Sequence, residues 1–131
     1  MKLDRRSFVA GAAALTGLGA SACGGQQGKT DMYGLIGKMN AAAGQRDRLI
    51  AILLEGVSGL PGCQSYIIAR DPDDETAIWI TEVWDSQASH EASLKHPSVQ
   101  EAIAKGRPLI AGMTRIATTT PVGGHGLSGG R

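Results

Sequence analysis

Four segments with strand character and two helical regions, in the order β-α-β-β-α-β, predict an α+β domain of the ferredoxin-like kind. Three observations carry that expectation. Apolar residues alternate in the first extended segment and recur at three- and four-residue spacings in the stretch after it. Turn-forming residues separate each segment from the next. The third extended segment is apolar on both faces, as a strand covered from both sides would be.

Each element has its own signal. Over residues 33–41, Tyr33, Leu35, Gly37 and Met39 alternate loosely with Ile36, Lys38 and Asn40, which reads as a strand. A helix follows from Gly44, because Leu49, Ile50, Leu53, Leu54 and Val57 make one apolar stripe. Gly56, Gly59 and Pro61-Gly62 end it. The second strand spans Cys63 to Arg70, and Asp71-Pro72-Asp73-Asp74 is turn chemistry. The third strand covers residues 76–84. It puts Ile78, Ile80, Glu82 and Trp84 on one face and Ala77, Trp79, Thr81 and Val83 on the other.

Asp85 or Ser86 is placed to cap a helix reaching Lys95. His96-Pro97 interrupts that helix, since proline disfavours helical geometry at the residue before it. Pro97 then suits the first turn of a shorter helix to Lys105. Pro108 and Gly112 break the chain again, and residues 113–120, rich in β-branched side chains, form the last strand. The glycine-rich tail from 123 to 131 is expected to be poorly ordered at its end.

The N-terminus carries an address. Arg5-Arg6 precedes a run without charge from Ser7 to Gln27, and Ala20-Ser21-Ala22-Cys23 closes its apolar part. A basic start, a short apolar run and a small-residue cleavage site form an export signal over residues 1–22. The paired arginines resemble a twin-arginine signal. Residues 20–23 resemble a lipobox, in which Cys23 is acylated and anchors the protein to a membrane. Ordinary cleavage before Cys23 gives the same mature chain. Residues 23–31 then form a tether; seven such residues span roughly 13–16 Å. The protein is therefore expected at the cell envelope.

The mature part, 23–131, holds 109 residues, enough for one domain. Removal of the signal leaves 10 basic and 11 acidic side chains, a formal charge of −1. Without a Lys/Arg run there is no electrostatic footprint for nucleic acid. Two cysteines remain. Cys63 is a lone thiol if Cys23 is lipidated; otherwise a Cys23–Cys63 disulfide is open to it in an oxidising compartment.

A four-stranded sheet with two helical layers on one side leaves its other face open. The apolar residues there call for a partner, and a two-fold homodimer supplies one.

At Thr81-Glu82-Val83-Trp84-Asp85-Ser86, with His90 six residues after the tryptophan and then His96-Pro97, the chain resembles the antibiotic biosynthesis monooxygenase (ABM) family. Leu60-Pro61-Gly62-Cys63 and Pro121-Val122-Gly123-Gly124-His125-Gly126 share the resemblance, which extends over roughly residues 31–126. The domain proper is placed at 32–122. The resemblance implies a dimeric α+β barrel. It also implies a monooxygenase that uses O2 without metal, flavin or other cofactor, on a quinol-like or phenolic aromatic. The alternative, of another class, is a non-catalytic module that binds an apolar aromatic at the cell envelope.

Cofactor-free oxygenation needs a base to make the substrate anion, and groups to stabilise that anion away from water. His90 is the candidate catalytic base, an imidazole being suited to proton transfer near neutral pH; the other reading is a surface or helix-end histidine. Trp84, Glu82 and His96 are the candidate pocket residues. Trp84 either walls a pocket or belongs to the core or dimer interface. Glu82 either meets a basic or backbone partner at the interface or orients a pocket group, because burying it unpaired is costly.

The chain also departs from the family's described branches. Oxygenases of phenolic substrates carry Asn, Tyr and Arg where Ile80, His90 and Ala104 stand here. Haem-degrading members carry Asn, Trp and His where Gly37, Ser93 and Ile103 stand. No metal site is expected: His90 and His96 are six residues apart, about 240° around a helix. Gly124 to Gly129 matches G-x-G-x-x-G, yet no helix follows it, so it is no dinucleotide site.

Overall fold

The computed structural model describes residues 31–127. The twin arginine Arg5-Arg6, the lipidation site Cys23 and nearly all of the proposed signal and tether lie outside the described residues, as do residues 128–131.

Among the described residues, the elements run β1 Tyr33–Ala41, α1 Arg46–Gly56, β2 Cys63–Arg70, β3 Ala77–Trp84, α2 Gln87–Ser93, α3 Pro97–Gly106, a 3-10 turn Arg107–Leu109 and β4 Ile110–Thr119. The strands form one antiparallel sheet in the order β2-β3-β1-β4. This is the ferredoxin-like fold that the order of segments predicts.

β1 and β2 have the expected bounds; elsewhere several ends differ by one residue, and the larger shifts have local reasons. α1 starts at Arg46, because Gly44 adopts φ +75° and so stands in the turn before the helix. α2 ends at Ser93 rather than at Lys95, as the Pro97 break acts one turn back. β4 begins at Ile110, and Gly112, read as a break, pairs with Asn40 inside the strand.

The register fixes the two faces of the sheet. Tyr33, Leu35, Gly37 and Met39 of β1 lie opposite Trp84, Glu82, Ile80 and Ile78 of β3, so these eight share one face. The same face of β2 brings Tyr66 beside Glu82 and Ile68 beside Ile80. β4 is irregular. Ile36 pairs with Ala117 but Gly37 pairs with Arg115, so Ile116 is an extra residue, a β-bulge.

The helices cover this face. Met39, Ala41, Leu49, Ile78 and Ile80 form the buried cluster, with Ile50, Leu53, Tyr66, Ile68, Leu109 and Ile110 packed around it. The opposite face carries Trp79, Val83 and Ile67, the last 57% exposed. Arg46 ties the β2–β3 turn to α1 by donating to the carbonyls of Asp71, Asp74 and Ala77 at 2.8–3.3 Å.

Candidate active site

The core fills only part of the space between sheet and helices. Towards the Leu35–Glu82 pair of the sheet lies a cavity of about 680 Å³. Its walls are mostly aliphatic, from Leu35, Leu53, Val57 and Ile80 among others, and its floor includes Gly37. A side chain there would project into the cavity, so glycine leaves bare backbone between Ile80 and Arg115.

Glu82 and His90, two ionisable groups, line the cavity. Both are largely enclosed, with side chains 14% and 13% exposed. Glu82 Oε1 lies 3.8 Å from His90 Nε2 and accepts a 2.8 Å hydrogen bond from Trp84 Nε1. Burial raises the Glu82 pKa above the usual carboxylate value; the Trp84 N–H, His90 and Arg115 oppose that rise. Tyr66, its cross-strand neighbour, is pushed well above the usual phenol range by burial, then by the Glu82 charge and by Cys63. Cys63 is likewise raised, first by burial; a backbone hydrogen bond at Ser65 opposes this and Glu82 adds to it.

His90 is placed by α2, a helix of seven residues held at both ends. Ser86 caps it, accepting from Ser89 N at 3.1 Å. The buried Ser93 donates to the His90 carbonyl at 2.6 Å. Gly62, at φ +81°, lets the chain entering β2 pass under the helix; a Cβ there would lie 2.5 Å from Ser89 Oγ. The ring then packs between Tyr33 and Trp84, at centroid distances of 5.4 and 5.6 Å.

Three of the four residues singled out as catalytic or pocket groups thus come together. Trp84, however, is 1% exposed and stands behind Glu82 as a hydrogen-bond donor and core residue, not as a cavity wall. Glu82 takes its hydrogen bond from this indole and has His90 as its ion-pair neighbour. His96 does not line the cavity. It caps α3, its Nδ1 accepting from Ser98 N at 3.2 Å, while Ser98 Oγ donates to the Gly56 carbonyl at 3.1 Å. Gly37, Tyr66, Arg107 and Arg115 also belong to the lining, though nothing in the sequence marks them as site residues. For Arg115 the cause is the bulge, since simple alternation along β4 does not foretell which of its neighbours turns inward.

The family described as Antibiotic biosynthesis monooxygenase matches residues 32–105. Among solved structures, a Chloroflexus aurantiacus protein provisionally described as an antibiotic biosynthesis monooxygenase is 66% identical. It aligns over 73% of this chain and 98% of its own, with a TM-score of 0.69. A Pseudomonas aeruginosa protein matches in fold at 18% identity and TM-score 0.64, over 72% of this chain and 97% of its own. SnoaB of Streptomyces nogalater, a cofactor-independent oxygenase, does so at 13% identity and TM-score 0.61, over 73% and 98%. No curated protein matches the chain.

Proposed function

The chain belongs to the antibiotic biosynthesis monooxygenase family, and from that premise we propose that it oxidises a quinol-like or phenolic aromatic with O2, using no cofactor. One observation carries the reading: the imidazole of His90, backed by Glu82, faces into a mostly aliphatic cavity. A cavity lined by aliphatics alone would suit a binding module. A base inside it suits proton abstraction in a water-poor site.

His90 takes the phenolic proton. The imidazolium so formed is stabilised by the Glu82 carboxylate 3.8 Å away. Glu82 stays in place because the Trp84 N–H holds it. The substrate anion, pressed against apolar walls, then gives an electron to O2. One oxygen atom enters the ring and the other leaves as water, with the hydroquinone oxidised to a hydroxyquinone. Glu82 and Trp84 are positioning residues in this scheme; neither touches the reacting atoms.

The proposal includes a homodimer formed through the open sheet face, supported by Trp79, Val83 and the exposed Ile67. It also includes export with an acylated Cys23, supported by the sequence of residues 1–23.

Oxygen uptake by the purified protein against a panel of hydroquinones tests the activity. His90→Ala should lower the rate ~10²–10⁴-fold with the fold intact, and His96→Ala should cost far less. Full activity in His90→Ala removes the base assignment. Stoichiometric binding of an apolar aromatic, with no hydroquinone oxidised above buffer, establishes the binding module instead.

A further inference from the structure

The cavity carries charge of both signs. Glu82 and His90 line it as largely enclosed groups, while Arg107 and Arg115 line it as exposed residues. Among the described residues neither guanidinium makes a hydrogen bond or salt bridge; Arg115 acts on Glu82 only through its charge. Lys38 also borders the cavity, but its Nζ lies 5.4 Å from the Trp79 ring centroid on the other face of the sheet. Two guanidiniums therefore meet one carboxylate here, in a domain whose residues 31–127 hold eight Lys and Arg against eleven Asp and Glu. The local balance opposes that of its surroundings.

We infer that the ligand of this cavity is an aromatic acid: a planar ring on the bare Gly37 backbone, a hydroxyl at His90, and a carboxylate or similar anion at the exposed guanidiniums of Arg107 and Arg115. The inference rests on the reading of this cavity as the substrate site and adds the charge of what enters it. Exposed arginines suit a carboxylate because the planar fork donates two parallel hydrogen bonds. The aliphatic walls beside these polar groups select for a flat apolar body. A neutral quinol would leave both arginines without work, while an anion held by them also fixes the ligand in a single orientation.

Two dyes that differ by one sulfonate separate the contributions. The full chain is titrated by fluorescence with 8-anilinonaphthalene-1-sulfonate and with neutral N-phenyl-1-naphthylamine. Arg107→Gln with Arg115→Gln should weaken the sulfonated dye about tenfold or more and leave the neutral dye within about twofold, whereas Arg115→Lys should recover only part of the loss. Gly37→Ile, which fills the floor, should weaken both dyes, with circular dichroism checking that it folds. Equal loss of both dyes in the arginine variant, or loss of neither, overturns the inference.

Oxygen uptake with 1,4-dihydroxy-2-naphthoate and 1,4-dihydroxynaphthalene keeps the two claims apart. A KM at least about tenfold lower for the naphthoate, lost in the arginine variant, supports the inference. Equal or better use of the neutral quinol overturns it and leaves the oxygenase reading standing. If neither is oxidised, the oxygenase reading falls, and the dye titration decides the anion site alone.

Discussion

Replacing Trp84 by Phe removes the N–H that holds Glu82 and little else, and its cost can be worked from the site. The indole donates to Glu82 Oε1 at 2.8 Å in largely enclosed surroundings. A hydrogen bond to an ionised group contributes about 1.5–3 kcal/mol. The smaller ring leaves a void of roughly 40 Å³, and at about 24 cal/mol per Å³ that adds about 1 kcal/mol. Trp84→Phe should therefore cost about 2.5–4 kcal/mol. About 1 kcal/mol of this depends on the charge of Glu82. In a Glu82→Gln background the lost bond is a neutral one, worth about 0.5–1.5 kcal/mol, so the double-mutant cycle should show a coupling of about 1 kcal/mol. Urea denaturation at neutral pH and fixed protein concentration measures all four proteins. At low pH, with Glu82 protonated, the coupling should shrink towards zero. A loss under about 1 kcal/mol for Trp84→Phe, or the same loss in both backgrounds, would refute the claim that the indole positions this carboxylate.

Further outcomes follow from the same geometry. Burial raises the folded-state pKa of Glu82 above its ordinary 4.5, so the native state binds that proton more tightly than the unfolded chain. Its contribution is then present below the unfolded value and is lost as pH rises through the folded one. Thermal melts should show Glu82→Gln gaining on the wild type across that window and holding the gain above it; a gap independent of pH would contradict the burial of this charge. Sedimentation of residues 31–131 should find a dimer well below micromolar concentration, and a stable native monomer would remove the sheet-face interface. Arg5→Lys with Arg6→Lys should leave uncleaved precursor in the cytoplasm. Mass spectrometry of the mature N-terminus should find acylated Cys23; a free cysteine there would sink the lipoprotein proposal.

The sequence shows the fold more plainly than the site, for physical reasons. β1 alternates loosely and β2 is bounded by sharp turn chemistry, and their ends fall where those signals put them. Glycine misleads at two places because its identity does not disclose its φ: Gly44 serves a turn, while Gly112 pairs with Asn40 within β4. At the site, Glu82 is found because it is a polar residue on an apolar strand face, and His90 because an imidazole suits proton transfer near neutral pH. Trp84 stays open between wall and core in the sequence because an indole suits both, and its burial and the position of its N–H decide for the core. His96 looked like a pocket residue by proximity in sequence. Proline at 97 turns it into a helix cap instead. Tyr66 and Gly37 gave no signal, because cross-strand register decides what they face.

The extra residue in β4 has a consequence for how this family's chemistry can vary. In an unbroken ladder continuing from the Ile36–Ala117 pair, Gly37 would meet Ile116, and Arg115 would turn to the opposite face of the sheet. The polarity of the cavity wall is thus encoded in a strand's length as well as in its letters. A single inserted or deleted residue, far cheaper for a lineage than a set of matched substitutions, can exchange an arginine for an aliphatic beside the substrate. Two relatives aligned letter by letter can for that reason agree at position 115 and still present different chemistry to what they bind.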